Sequence, residues 1–315
     1  QAGLQCGDVH GHHPAMNTPD VSSVSSPLPD LPALRIALVG AGRVARALVL
    51  ALDRAGLPVV AVGSRQPERL SPASYPQPCT PQQAVDQADL VLLTVADDAI
   101  APVAAALRWR AGQAVVHCSG ATEVAALAPA AQAGAHTGGF HPLQIFSDPE
   151  QAAHRLAGST AAIEAGPALM PTLHALAAAL GMPATVLPPG MRVRYHVAAG
   201  YAASFLLPVL QEAVALWASF GVDEADALRA LLPLSRGTLE AAGARGLAGA
   251  VSGPIARGDL GVVQRHLDAL EALGPQRAAF YRFLAGPQPA LARQAGRLDE
   301  DLCRRLDFLL RDADC

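Results

Sequence analysis

The stretch Leu34-Arg-Ile-Ala-Leu-Val-Gly-Ala-Gly-Arg-Val-Ala-Arg-Ala-Leu48 decides the reading of the chain. Ile36 to Val39 is a short apolar run of the kind that forms a strand buried on both faces. It breaks at Gly40-Ala41-Gly42, and a helical pattern carrying Val44, Leu48 and Leu52 starts at once. Strand, turn and helix together make G-x-G-x-x-A in the context the motif requires. Gly40 permits the tight turn, Gly42 lets a pyrophosphate approach the backbone, and Ala45 is small enough for close helix–strand packing. The helix N-terminus offers free N–H groups and a partial positive charge. Gly40, Ala41, Gly42, Arg43 and Val44 are therefore expected to bind a dinucleotide, the plainer alternative being a structural glycine turn.

The next strand, Leu57-Pro-Val-Val-Ala-Val-Gly63, ends where such a domain selects its cofactor. An NAD site places Asp or Glu there for the ribose 2′-hydroxyl; here Ser64 and Arg65 follow, with Arg69 a turn later and no acid before Glu68. A hydroxyl and a guanidinium suit a 2′-phosphate, so NADP is expected ahead of NAD. A third core strand, Asp89 to Val95, brings the backbone of Val95 and Ala96 beside the cofactor, and Asp97 or Asp98 is expected to cap the following helix. Two further strands end at Cys118 and at His141-Pro142, where a substrate should meet the nicotinamide. Ser119 there either contacts a ligand or caps a helix. His141 is either a donor facing the ligand or a packed turn residue.

Residues 159–188 read as strand, helix, strand and extend the sheet; beyond Pro188-Pro-Gly190 the period is helical throughout. A helix from Met191 to Phe220, kinked at Pro208, is expected, followed by helices at Asp223–Leu232, Ser235–Ala244, Leu260–Leu273, Gln276–Ala285 and Asp299–Arg311. The fold class is α/β, with a Rossmann NAD(P)-binding domain over 33–189 and an all-α helical domain over 190–315. Residues 1–32, rich in Pro, Ser, Asp and Gly, read as a disordered tail. The chain opens on Gln1 rather than Met, so its first segment reads as a processing remnant, with Met16 as an alternative start; His10, His12 and His13 read as a solvated cluster.

Composition excludes whole classes of chemistry. The 315 residues contain no lysine, so neither a Schiff base, a P-loop lysine nor a lysine acid is available. Five cysteines without C-x-x-C spacing speak against a disulfide framework or zinc site and fit a reducing cytoplasm. A net charge of −4 leaves no electrostatic footprint for nucleic acid or anionic membrane, and no apolar run is seen to approach the roughly 18 residues of a membrane span. No metal site is expected.

Gly40-Ala-Gly-Arg-Val44, Ala96-Asp-Asp-Ala-Ile100, His117-Cys-Ser-Gly120, His141-Pro-Leu-Gln-Ile-Phe146, Tyr195-His196-Val-Ala-Ala and Ser252-Gly-Pro-Ile-Ala-Arg-Gly-Asp259 fall in order along residues 34–290. Together they resemble the Rossmann-like oxidoreductases that carry the C-terminal domain DUF2520. These belong to the 6-phosphogluconate dehydrogenase-like clan, with pyrroline-5-carboxylate reductase, prephenate dehydrogenase, hydroxyisobutyrate dehydrogenase and the F420-dependent NADP reductases. The resemblance implies NADP binding in the first domain, a helical second domain used for homodimerisation, and an active site in the cleft between them. This sequence departs from relatives in three places: His196 lies where the hydroxy-acid dehydrogenases use lysine, Ser204 where close relatives carry asparagine, and Ala96 where they tend to have proline.

On a continuous helix His196, Gly200, Ala203 and Ser204 would share a face, with small residues leaving room for a ligand. An imidazole titrates near neutral pH, which makes His196 the first candidate for a general acid, His141 the second and Ser204 an auxiliary contact. Tyr195, Tyr201, Arg236 and Arg257 are weaker candidates. The expected activity is hydride transfer between NADP and a small carbonyl, imine or hydroxy-acid substrate. The alternatives are an NADP-binding sensor or partner-binding protein without catalysis and, more remotely, a deazaflavin-linked NADP reductase.

Overall fold

The computed structural model describes residue 28 and residues 30–311, so the expected tail falls almost wholly outside the described residues. The chain divides into two units, one ending at Gly200 and one starting at Tyr201. The first is built in the order β1 (Ile36–Val39), α1 (Arg43–Arg54), β2 (Val59–Gly63), β3 (Pro78–Cys79), α2 (Pro81–Gln87), β4 (Leu90–Leu93), α3 (Asp97–Ala106), β5 (Ala114–His117), α4 (Ala128–Gln132) and β6 (His136–Pro142). It continues through α5 (Pro149–Arg155), β7 (Ala161–Ala165), α6 (Met170–Ala179) and β8 (Ala184–Val186) into α7 (Arg192–Ala202).

The sheet has eight strands in the order β3-β2-β1-β4-β5-β6-β7-β8. All of β3 to β6 run parallel, and β7 reverses, pairing antiparallel with β6 and parallel with β8. The strands of the centre are apolar on both faces because helices cover both. Ile36, Leu38, Leu90 and Leu92 enter one core with α1 and α6, while Ala37, Val39, Val91 and Leu93 enter the other with α2 and α3. Local chemistry places the helices: Pro81 starts α2 behind a Thr80/Gln83 capping box, and the Asp148 side chain accepts from Gln151 N at the start of α5.

The second unit is all-α: α8 (Leu206–Ala218), α9 (Glu224–Ala250), α10 (Leu260–Leu273), α11 (Pro275–Ala285), α12 (Gln288–Gln294) and α13 (Glu300–Leu309). Its core gathers Ile255, Val263, Leu267, Ala292 and Leu306, and Arg277 joins α11 to Glu212 of α8 at 2.8 Å. An α/β unit followed by a helical one is the architecture expected.

Four details differ from expectation. The helix predicted over Met191–Phe220 is interrupted by a turn at 203–205, and Pro208 sits in the first turn of α8 instead of kinking one long helix. Proline lacks the N–H that an interior position needs and clashes with the carbonyl four residues back, whereas a first turn tolerates both. The register that puts Ser204 on the face of His196 therefore stops at Ala202. Second, Asp97 and Asp98 do not cap α3: Ala96 is the N-cap, without a side-chain bond, and the two acids lie in the first turn, where they complement the helix dipole. Third, Pro233 does not separate two helices but lies inside α9, whose backbone departs from helix only at Gly246. Fourth, Arg192–Ala218 is long and apolar enough, by length and composition, to cross a membrane, although the turn at 203–205 divides it.

Candidate active site and cofactor cleft

The carboxyl ends of β1, β2 and β4 open onto a cleft of about 680 Å³ whose walls include Gly40, Ala41, Gly42, Ser64, Arg65, Arg69, Val95 and Ala96. Gly40 has φ 109°, and a Cβ there would stand 2.8 Å from the carbonyl group of Thr94. The turn can thus press on β4 only because residue 40 is glycine. Thr94 Oγ1 donates to the carbonyls of Val39 and Gly40, both at 3.1 Å, and fixes the turn from below. Tyr75 OH donates to the Ala41 carbonyl at 3.0 Å, and Arg46 on α1 donates to the Ser74 carbonyl, so the loop before β3 is tied to the same turn. Gly42 is the N-cap of α1 with no side-chain cap, and a Cβ on it would meet nothing within 4 Å. Gly42 itself lines the cleft, so α1 begins at the cleft wall, as an anion site at a helix N-terminus requires. Arg43 and Val44 form the first turn of α1 and are not part of the wall. Asp98, an acid on the wall, belongs to α3 rather than to the end occupied by Ser64, Arg65 and Arg69.

Further along the same sheet edge, the ends of β5 and β6 meet α7 in a cluster of histidines. His141 Nδ1 and Tyr195 OH are 2.7 Å apart, and the rings of His141 and His196 stand edge to face with centroids 6.3 Å apart. A Cβ on Gly120 would lie 2.7 Å from His196 Cδ2 and 3.1 Å from His141 Nε2, so the two imidazoles close over this glycine. Burial, with His196 and Arg192 nearby, pushes His141 down to about 4, and burial pushes the Tyr195 phenol up to about 12. At neutral pH the pair is an uncharged imidazole and an intact phenol. With the phenol donating to Nδ1, the ring carries its proton on Nε2 and offers it as a hydrogen-bond donor. His196 is the exposed member of the cluster.

The predicted residues thus fall into two groups. Gly40, Ala41, Gly42, Ser64, Arg65, Val95 and Ala96 line one cleft; His141 and His196 stand together at the neighbouring strand ends. Ser119 is not on the cleft wall: its Oγ accepts from the N–H groups of Ala121 and Thr122 at 3.1 and 3.0 Å and donates to Thr122 Oγ1, which closes a turn; the short helix that follows, Val124–Leu127, has Glu123 as its N-cap, so Ser119 caps no helix. Ser204 lies in the turn after α7.

Three residues of the cluster were not singled out from sequence. His117 is wholly buried; burial, aided by Arg192 and His141, pushes it down to about 3, and its Nδ1 accepts from Ser119 N at 3.3 Å. Arg192 is equally buried, its Nε donating to Glu164 Oε2 at 2.6 Å and its Nη1 to the Ser119 carbonyl at 2.9 Å. The signal that points to them is Gly138-Gly139 inside a strand, since glycine there marks a close approach. A Cβ on Gly139 would stand 1.8 Å from Arg192 Nη2. Cys118, next to His117, is inert by the same burial, which pushes its thiol up to about 12.

Comparison with known proteins bears on the domains and the fold. Residues 16–142 match the Rossmann-like domain model, and residues 159–287 match the domain of unknown function DUF2520. The chain pairs a Rossmann-like domain with a DUF2520 domain. No curated protein matches it significantly in sequence. Among solved structures, protein TM1727 from Thermotoga maritima is 22% identical, with a TM-score of 0.68 over 83% of this chain and 100% of that one. An imine reductase from Pseudomonas sp. is 20% identical (TM-score 0.58, 88% of this chain, 99% of that one). A reductive aminase from Aspergillus terreus, solved with NADPH and ethyl levulinate, is 16% identical (TM-score 0.55, 88% and 92%). At these identities the likeness is one of fold, shared by the Rossmann-like/DUF2520 chain with oxidoreductases.

Proposed function

We propose that the protein is an NADP-dependent oxidoreductase acting on a small carbonyl, imine or hydroxy-acid substrate. The observation that carries this reading is a single cleft joining the N-terminus of α1 to Ser64, Arg65 and Arg69. The glycine turn and α1 hold the pyrophosphate, and the hydroxyl and two guanidiniums hold the 2′-phosphate. When bound, NADP supplies the hydride; the chain supplies orientation and a proton. His141, neutral at pH 7 and fixed by Tyr195, donates a hydrogen bond to the substrate's heteroatom, and the exposed imidazole of His196 gives that heteroatom its proton and takes a replacement from solvent.

Fluorescence titration tests the first step. NADPH should bind more tightly than NADH, and replacing Arg65 and Arg69 together by Ser should weaken NADPH about 10- to 100-fold with little change for NADH. Equal binding of both nucleotides, or none, defeats the cofactor assignment. Once a screen of carbonyls, imines and hydroxy acids finds turnover, His196→Ala should lower it about 100-fold or more at unchanged NADPH affinity; an unchanged rate removes His196 from the reaction. Tight NADPH binding without turnover of any class tried is what a catalytically silent sensor predicts.

A second copy of the chain is the proposed partner of the helical unit. Leu206 and Leu207 on α8 and Leu234, Leu239 and Leu247 on α9 are exposed, in the unit to which the family resemblance assigns dimerisation. Sedimentation at micromolar concentration should show a dimer; a monomer there refutes it.

A further inference from the structure

The buried guanidinium of Arg192 occupies a slot in the sheet. Cross-strand register sets His117 of β5 beside Gly139 of β6, and Gly139 beside Glu164 of β7. The three positions form one row, and its middle member has no side chain. Arg192 fills that gap from α7: Nη2 lies where a Gly139 Cβ would be, Nε pairs with Glu164, and Nη1 reaches the Ser119 carbonyl at the end of β5. One side chain thereby ties α7 to three strands.

Arg192 opens α7, and Tyr195 and His196 follow it by three and four residues, on the same side of the helix. Fixing the rotation of α7 at Arg192 fixes where those two rings point. We propose that Arg192 is the positioning residue of the histidine cluster: locked over Gly139 against Glu164, it holds Tyr195 on His141 and His196 over Gly120. As a role in the reaction this rests on the function proposed above; as a statement about α7 it does not.

The groups facing His141 are His117 from β5, Arg192, Tyr195 and His196 from α7, and Glu164 through Arg192 from β7. Nitrogen-15 NMR of the imidazoles reads their arrangement directly in the full chain, without a substrate. Gly139→Ala puts a methyl group into the slot, where the nearest atoms it meets are those of the Arg192 guanidinium; Glu164→Gln keeps the shape and removes the ion pair. Both should lose the signature of the Tyr195–His141 hydrogen bond, and Gly139→Ala, by displacing the Arg192 guanidinium and loosening the enclosure, should also move the His141 titration up by about one unit toward that of a free imidazole. NADPH affinity, governed by the cleft at β1, β2 and β4, should stay within about twofold. If Gly139→Ala does not fold, Glu164→Gln alone decides. Folded variants with an unchanged hydrogen-bond signature and His141 titration overturn the proposal. Wild-type protein that fails to bind NADPH defeats the functional reading instead and leaves the NMR comparison intact.

Discussion

Folding stability should fall steeply as the pH drops from about 6.5 toward 4, the range set by an unfolded histidine and the two buried ones. His141 and His117 are held down to about 4 and about 3 in the folded protein, chiefly by burial. A histidine with a depressed folded pKa stays neutral while the unfolded chain takes up a proton. Its contribution is therefore complete above about 6.5 and is lost as pH falls. Each such group gives a slope of about 1.4 kcal/mol per pH unit, so the pair should give between 2 and 3, about, where both are engaged. Urea midpoints at pH 7, 6, 5 and 4 measure this. His117→Gln or His141→Gln should flatten the curve by about half. Asp89, held below the usual carboxylate range by its hydrogen bonds with Arg35, acts in the opposite sense of charge but the same direction of stability. Its loss begins only below about pH 4, which keeps the two effects apart. A wild-type midpoint that does not move between pH 7 and 5 would show that the two imidazoles are not shielded.

The second large effect concerns the Arg192–Glu164 pair, whose side chains are 0% and 11% exposed and 2.6 Å apart. Removing one partner strands the other charge away from water. Arg192→Met or Glu164→Leu alone should destabilise the protein by about 3–5 kcal/mol. The double variant, with two apolar side chains of similar volume, should recover most of that loss. Denaturant midpoints of the four proteins give the coupling directly. Single losses that simply add in the double variant would mean that the ion pair is not desolvated as a unit.

Much of the first unit was legible because its signals are local. Ile36–Val39, Leu90–Leu93 and Ala114–His117 are short apolar runs bounded by turns, and the glycine motif names its own neighbours. The cleft was legible in part for the same reason: Gly40-Ala41-Gly42 and Ser64-Arg65 are two short contiguous segments that the fold brings onto one cleft, while Arg43 and Val44, expected with them, lie off its wall. The histidine cluster was half legible. His141 and His196 could be picked by residue type, but His117, Glu164 and Arg192 look like a strand residue and two ordinary charges until the strands are aligned. Nothing local in Ala161–Ala165 says that β7 runs against β6, and that reversal is what sets Glu164 beside Gly139. Helices were misjudged where proline was taken at face value: Pro208 begins α8 and Pro233 is carried inside α9.

The reversed pairing of β6 and β7 also bears on how this chain can be divided. The Rossmann-like match stops at residue 142 and the DUF2520 match starts at 159, so the seam between sequence families falls between two hydrogen-bonded strands of one sheet. A piece cut at that seam would expose β6 as a bare edge with Gly138-Gly139 open to any passing strand. It would also lack Glu164 and Arg192. The two sequence families are therefore not interchangeable parts. Swapping either half for that of a distant relative asks the newcomer to supply a matching strand, a carboxylate and an arginine at once, so the seam is a poor place to splice chimeras.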